Sequence, residues 1–147
     1  MILLLDTHVV LWWLEDPSLV SEAARDAISD PVNEVLVSAV SAWEIAIKAG
    51  VGKLDAPPNF EEAVAQCQLK MISITCQHAL QTQSLPRLHR DPFDRMLVAQ
   101  AIVEGATLVT RDAMVRQYGV PTILAWHCGP PTQESPWDSF SQSACLD

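Results

Sequence analysis

Short apolar runs alternate with amphipathic stretches along this chain. The runs ILLL, EVLVS, MISI, TLVT and PTIL predict five strands, at residues 2–5, 34–38, 71–74, 107–110 and 121–124. The stretches between them predict helices: one that ends before Asp16, one near 19–28, one through AWEIAIKAG, and two more near 60–69 and 76–84. Asp91-Pro92 begins a further helix that Gly105 closes, and a short one follows Asp112. Alternating strands and helices predict an α/β domain whose parallel sheet is covered on both faces.

An acidic residue stands where each of four apolar stretches stops or begins. These residues are Asp6 after ILLL, Glu44 in SAVSAWEIAI, Asp94 in DPFDRMLVAQA and Asp112 after ATLVT. Ligands of such sheets bind beyond the carboxyl ends of the strands, so we expect folding to bring the four carboxylates to one edge. Carboxylates gathered in one place repel each other, and a divalent cation held between them is the usual reason to tolerate this repulsion.

Each of these acids also has a structural explanation. The alternatives are an N-cap for Asp112, a first-turn acid for Asp94 and a capping box with Ser41 for Glu44. Asp91 is interpreted as the N-cap in front of Pro92. Asp6 has no evident capping task, although an Asx-turn is open to it. The coincidence of all four acids favours a shared site.

Length and composition fit a single soluble domain. The chain has 147 residues, and 49% of them are hydrophobic, which is enough for one core. No apolar run approaches the ~20 residues of a membrane span, and MILLLDTH lacks the basic region and cleavage site of a signal peptide. Four scattered cysteines predict reduced thiols, with Cys67 and Cys76 in the core. We therefore expect a cytoplasmic protein that does not associate with membranes.

Charge argues against a protein that coats nucleic acid through a broad basic face. The net charge is -9, from 18 acidic and 9 basic residues. Several basic residues nevertheless lie close to the acidic motifs in sequence: Lys48, Arg87, Arg90, Arg95 and Arg111. A local basic rim around an acidic pocket would suit an anionic polymer that reaches a metal, whereas the alternative is that these side chains only solvate helix faces.

The composition changes after Ala125. Residues 126–147 are rich in Pro and Ser and contain no Lys or Arg. This composition predicts a flexible C-terminal tail that follows a domain of residues 1–125. The alternative is that Trp126, Trp137 and Phe140 anchor the tail against the body or a partner.

Four stretches together resemble the PIN domain and, within it, the VapC-type toxins of bacterial toxin–antitoxin pairs. They are LLLDTHVVLWWL, VSAVSAWEIAIKAGVGKL, HRDPFDRMLVAQAIVEGATLVTRD and YGVPTILA, which span most of residues 1–125 in order. The resemblance implies a three-layer α/β/α fold with a central parallel sheet of four to five strands. It also implies a metal-dependent endoribonuclease that acts as a toxin, together with RNA as substrate and a cognate antitoxin as partner. A homodimer is expected as well.

The same resemblance carries roles onto individual residues. The family's four acids fall in order on Asp6, Glu44, Asp94 and Asp112, and Thr110 matches the polar residue ahead of the fourth. Oxygen ligands select hard cations, so Mg²⁺ or Mn²⁺ is expected, as one ion or two. Asp6 is expected to be the principal ligand, and Asp94 and Asp112 to bind directly or through water. Glu44 would be a further ligand or orient the attacking water.

Substrate contacts are expected from four residues near these acids. Arg95 and Arg111 are candidates for the phosphate, and Thr110 and Lys48 complete the set. Tryptophans also flank two of the acidic motifs: Trp12, Trp13 and Trp43. Those that are exposed at the rim of the groove would anchor the antitoxin. The alternative places Trp43 in the core with Trp12 or Trp13 beside it.

Two other classes of function stay open on the residues alone. A metal-dependent phosphatase on an α/β fold also gathers aspartates at strand ends, but its nucleophilic Asp commonly has a second Asp two residues on. That position is His8 in this chain. A non-catalytic interaction module would keep the fold and need no metal.

Overall fold

The computed structural model describes residues 1–126, in which five strands form one parallel sheet. The strands are β1 (Ile2–Leu5), β2 (Glu34–Ser38), β3 (Lys70–Ile72), β4 (Thr107–Thr110) and β5 (Thr122–Leu124). Their order is β3-β2-β1-β4-β5, and every neighbouring pair is parallel. The predicted parallel sheet is therefore confirmed, with five strands.

Helices cover both faces of the sheet. They are α1 (Thr7–Glu15), α2 (Glu22–Ser29), α3 (Ala39–Gly50), α4 (Phe60–Gln66), α5 (Cys76–Gln81) and α6 (Pro92–Glu104). Alternate side chains of β1 point to opposite faces, so Leu3 and Leu5 pack in the core that includes α1 and α2, whereas Leu4 packs in the core that includes α6. The three-layer α/β/α arrangement is confirmed.

Helix boundaries differ from the predicted ones where a cap or a change of backbone conformation intervenes. The second helix begins at Glu22 because the Ser21 hydroxyl caps it by accepting the Ala24 N–H at 3.2 Å. The fourth helix ends at Gln66, and Gln68 then takes a left-handed φ of 60°. The segments predicted as helix at 76–84 and after Asp112 are partly or wholly 3-10, at Thr82–Ser84 and Ala113–Tyr118.

Three expectations from composition have different outcomes. Cys67 and Cys76 are free thiols but exposed, so the prediction that they lie in the core is wrong; Cys67 caps α4 and Cys76 begins α5. No helix within residues 1–126 is long and apolar enough to cross a membrane. The predicted flexible tail lies outside the described residues apart from Trp126, whose ring centroid is 6.0 Å from that of Trp12.

The start and end of α6 follow the sequence closely. The Asp91 carboxylate accepts the Phe93 N–H at 2.8 Å, with Pro92 at the first helical position. Gly105 ends the helix with a left-handed φ of 63°, which a residue without Cβ adopts at little cost. The predicted N-cap role of Asp91 is confirmed, and this cap fixes where the first turn of α6, with Asp94, begins.

The capping contribution of Asp91 can be measured separately from its charge. Asp91→Ser and Asp91→Ala remove the same negative charge, but only serine keeps an oxygen that accepts the Phe93 N–H. We expect the free energy of unfolding of Asp91→Ala to lie about 1 kcal/mol below that of Asp91→Ser in urea denaturation. Equal stabilities of the two variants would contradict the cap.

Candidate active site

The site lies where the strand order reverses. The chain leaves β1 for β2 on one side, whereas β4 lies on the other side of β1 and leads on to β5. Leu5 pairs with Val109 in register, and the Asp6 N–H continues the ladder by donating to the Val109 carbonyl at 2.9 Å. Ligands of open α/β sheets bind at such a switch point. Asp6, after β1, and Asp112, after β4, are placed there by this pairing.

Asp6 is held by a hydroxyl from the neighbouring strand. The Thr110 Oγ1 donates to Asp6 Oδ2 at 2.6 Å and accepts the Asp112 N–H at 3.1 Å. Asp6 takes the N-cap position of α1, but its side chain makes no capping hydrogen bond. The carboxylate is 9% exposed and is not used to cap the helix.

Thr110 lies inside the site and has its hydroxyl occupied. Its side chain is 1% exposed, and its hydroxyl is shared between two acidic residues. These bonds orient Asp6 and tie it to the backbone of Asp112, which favours a structural role. The substrate contact expected of Thr110 stays a prediction.

Glu44 reaches the site from within α3. The cap of this helix is Ser38, whose Oγ accepts the Val40 N–H at 3.0 Å, so the capping box expected with Ser41 is not formed. Glu44 is instead 4% exposed, and Lys48 donates to its Oε2 at 3.1 Å. A cap at another residue leaves the Glu44 carboxylate available for the site.

Asp94, in the first turn of α6, is the most perturbed acid. Burial raises its pKa first, and the negative charges of Asp6, Asp91, Glu44 and Asp112 raise it further, from 3.8 to about 8. No hydrogen-bond donor among residues 1–126 offsets this effect at the Asp94 carboxyl. Asp94 is thus surrounded by negative charge and lacks a compensating partner.

The pKa values of two further acids are raised by the same causes. Burial raises the pKa of Asp6, and this effect outweighs three that lower it: the hydrogen bonds from Thr110 and Thr7 and the positive charge of Arg111. Burial likewise raises the pKa of Glu44, against the opposing charge of Lys48. Asp91, interpreted from sequence only as a cap, also raises the pKa of Glu44 and Asp94. The charge cluster therefore contains five carboxylates.

Asp112 is fixed at both carboxylate oxygens. Its Oδ1 accepts the Met114 N–H at 2.9 Å, which confirms the predicted N-cap, and its Oδ2 lies 2.6 Å from His89 Nε2. The other ring nitrogen of His89 lies 2.8 Å from the Tyr118 hydroxyl. His89 was not among the residues predicted for the site, and the available signal in the sequence was its position two residues before the Asp91 cap.

The basic residues divide between the site and the scaffold. Arg111 lies close enough to lower the pKa of Asp6, with its guanidinium carbon 5.9 Å from the centre of the Trp12 ring. Lys48 pairs with Glu44. Arg95 instead donates to the carbonyl oxygens of Thr82 and Pro86 at 2.9 and 2.8 Å. These bonds hold its guanidinium at the segment before α6, which favours a structural role, and the phosphate contact expected of Arg95 stays a prediction.

Two tryptophans beside the acids differ in burial. Trp12 is 2% exposed and belongs to the core, whereas Trp43 is 54% exposed and packs edge-on against Phe93 at 5.0 Å between ring centroids. The alternative that placed Trp43 in the core is wrong. Trp43 and Phe93 immediately precede Glu44 and Asp94, so an exposed aromatic pair adjoins the acidic site.

The donor set suits a hard divalent cation. The five clustered carboxylates offer only oxygen, which Mg²⁺ and Mn²⁺ prefer. Within residues 1–126, no group of three or more acidic, histidine or cysteine side chains is placed to hold a metal ion. One or two direct carboxylate ligands together with water molecules fit Mg²⁺, which commonly keeps several waters. Asp94 is half-buried and has no hydrogen-bond donor among residues 1–126, so a nearby cation would offset more repulsion there than at the other acids.

The raised pKa of Asp94 predicts an unusual dependence of stability on pH. Between pH 3.8 and about pH 8, the folded protein keeps a proton on Asp94 that the unfolded chain has released. This contribution to stability is full below about pH 4 and is lost as the pH rises through about 8. In EDTA, we expect wild type to lose more free energy of unfolding over this range than Asp94→Asn. Urea denaturation at several pH values measures the difference, with Asp26→Asn, an exposed aspartate of α2, as control.

A pH dependence that Asp94→Asn leaves unchanged would contradict the raised pKa.

Comparisons with known proteins agree with this geometry. The family model of the PIN domain matches residues 3–121. Ribonuclease VapC22 of Mycobacterium tuberculosis is 34% identical over 128 residues, which cover 84% of this chain and 97% of that protein. The range matched by the family model contains Asp6, Glu44, Asp94 and Asp112.

Solved structures share the fold at lower identity. A chain of the DNA-bound VapBC structure from Salmonella typhimurium has a TM-score of 0.62 and 18% identity, covering 84% of this chain and 97% of that chain. A chain of VapBC2 from Rickettsia felis bound to a promoter DNA fragment has a TM-score of 0.60 and 18% identity, covering 85% and 99%. The match over residues 3–121 and the identity to a VapC ribonuclease show that this chain belongs to the PIN-domain family.

Proposed function

We propose that this protein is a divalent-metal-dependent endoribonuclease that hydrolyses RNA phosphodiester bonds as the toxin of a toxin–antitoxin pair. The observation that carries the proposal is Asp94, a half-buried carboxyl without a hydrogen-bond donor among residues 1–126, whose pKa is raised by the charges of Asp6, Glu44, Asp91 and Asp112. A cation held by these residues would offset the repulsion. The likeness to ribonuclease VapC22 over most of both chains supports the choice of RNA.

Each acid has a part that follows from its contacts. Asp6, oriented by Thr110, and Asp94, without a donor among residues 1–126, are proposed as the direct ligands. Asp112 is engaged at both oxygens and is proposed to bind directly or through water. Glu44, paired with Lys48, is proposed to orient the attacking water or to complete the ligand set.

A bound Mg²⁺ or Mn²⁺ supplies Lewis-acid activation of water and of the scissile phosphate. The chain's own residues supply charge and orientation. RNA brings further negative charge to an acidic site. We propose that two basic residues contact its phosphates, namely Arg111 beside Asp6 and Lys48 beside Glu44. Because the whole chain carries a net charge of -9, this attraction is local.

An antitoxin is proposed as the protein partner. Two of the solved chains with the same fold come from VapBC structures. On this chain, the exposed Trp43 and its neighbour Phe93 lie beside Glu44 and Asp94, where a bound segment would gain aromatic contact and cover the acids. The expected homodimer and cytoplasmic location stay predictions, and light scattering of the purified chain tests the first.

Loss of one ligand should abolish cleavage without loss of the fold. We expect Asp6→Asn and Asp94→Asn to lower RNA cleavage by more than the roughly 10–100-fold typical of residues that only support a ligand. Both variants should also relieve the growth arrest caused by expression. Asp26→Asn, on the exposed surface of α2, is the matched control and should keep wild-type activity.

The same assay separates the proposal from its rivals. Wild type is incubated with structured RNA and, separately, with a phosphate monoester, each with Mn²⁺, Mg²⁺ or EDTA. Cleavage of RNA alone, and only with metal, is the expected result. Hydrolysis of the monoester alone would indicate a phosphatase, and no reaction with either substrate would indicate a binding module.

A further inference from the structure

His89 forms a short hydrogen-bonded chain that ends on Asp112. It lies in the segment before α6, and its side chain is 10% exposed. Its Nε2 lies 2.6 Å from Asp112 Oδ2, and its Nδ1 lies 2.8 Å from the hydroxyl of Tyr118. The two rings also stack, with centroids 5.4 Å apart and planes inclined by 20°. The imidazole is therefore fixed on one face and at both nitrogens.

Hydrogen-bond donors and acceptors match throughout this chain of contacts. An ionised Asp112 only accepts, so Nε2 carries the hydrogen that is donated to Oδ2. In a neutral imidazole Nδ1 is then the acceptor, and the Tyr118 hydroxyl donates to it. In that form Tyr118 favours the tautomer whose Nε2–H faces Asp112. The arrangement corresponds to the outer partners that orient metal-binding residues.

Asp112 has no freedom left to rotate once these contacts are made. Oδ2 is held by His89 and Oδ1 by the Met114 N–H, while the Asp112 N–H is held by the Thr110 hydroxyl that also binds Asp6. Each carboxylate oxygen keeps a further lone pair for a cation or a water molecule. The orientation of Asp112 relative to Asp6 is therefore set by His89 on one side and by Thr110 on the other.

We propose that His89, oriented by Tyr118, is a positioning residue that holds the Asp112 carboxylate in the geometry required to bind the divalent cation. The proposal rests on the function proposed above. The competing explanation is structural: the same bond would only tether the segment before α6 to the turn after β4. The two explanations differ in whether metal affinity, and not merely stability, depends on the Nε2 donor.

A pair of substitutions separates them. The side-chain amide nitrogen of Gln reaches the place of Nε2, so His89→Gln keeps a donor for Asp112. His89→Asn places its polar group near Nδ1 and loses the donor to Asp112. Mn²⁺ binding to the metal-free proteins is measured by calorimetry, RNA cleavage is measured against Mn²⁺ concentration, and unfolding in EDTA gives the stability of each variant.

Another buried histidine in this chain supplies the matched control. His78 is 1% exposed, and its Nε2 lies 2.7 Å from Glu104 Oε1, at the contact between α5 and α6. This pair has the same chemistry as His89 and Asp112, but Glu104 is outside the charge cluster around Asp94. His78→Asn should lower stability and leave the Kd for Mn²⁺ unchanged.

The expected result is a Kd for Mn²⁺ raised about 10–100-fold in His89→Asn, with a matching rise in the Mn²⁺ concentration for half-maximal cleavage. The Kd of His89→Gln for Mn²⁺ should stay close to the wild-type value. The Kd of Tyr118→Phe should lie between those of His89→Gln and His89→Asn. Wild-type Mn²⁺ affinity in both His89→Asn and Tyr118→Phe would overturn the proposal while leaving the nuclease intact. If the wild-type protein neither binds Mn²⁺ nor cleaves RNA, the proposed function fails as well.

Discussion

The pairing of β1 with β4 is the constraint on which the site depends. It sets Leu5 against Val109, so the next residue along each chain segment, Asp6 after β1 and Thr110 at the end of β4, meets the other at one edge of the sheet. The hydroxyl of Thr110 then joins Asp6 to the backbone of Asp112. Because a shift of one residue in a strand turns every side chain to the other face, the two apolar cores that fix this register also fix the acids.

Repulsion within the acidic cluster lowers the free energy of unfolding. Burial and mutual repulsion raise the pKa of Asp94 to about 8, so without metal this carboxyl holds a proton at neutral pH. A cation bound at Asp94 would compete with that proton, so metal binding would depend on pH. Lys48 and Arg111 offset part of the charge at Glu44 and Asp6. Clustered carboxylates with raised pKa values are typical of functional sites.

Residue patterns predicted the parts of this molecule that depend on local chemistry. The apolar run of β1 and the cap and stop of α6, at Asp91 and Gly105, are local properties of the sequence, and the structure has them where they were expected. Contacts between distant residues were not predictable. The guanidinium of Arg95 turns to the loop before α6, and His89 reaches an aspartate 23 positions away. Spacing places a residue on an element, but only tertiary packing decides where a long side chain ends.

Whether carboxylates from separate elements hold one divalent cation can be seen by anomalous scattering from a crystal of the Mn²⁺-loaded protein. We expect a strong anomalous peak within about 2.1 Å of oxygens of Asp6 and Asp94, with Asp112 bound directly or through water. The same crystal of Asp94→Asn should show a weaker peak or none. Manganese found only on exposed carboxylates, such as Glu61 and Glu62 of α4, would show that the acids do not form a shared site.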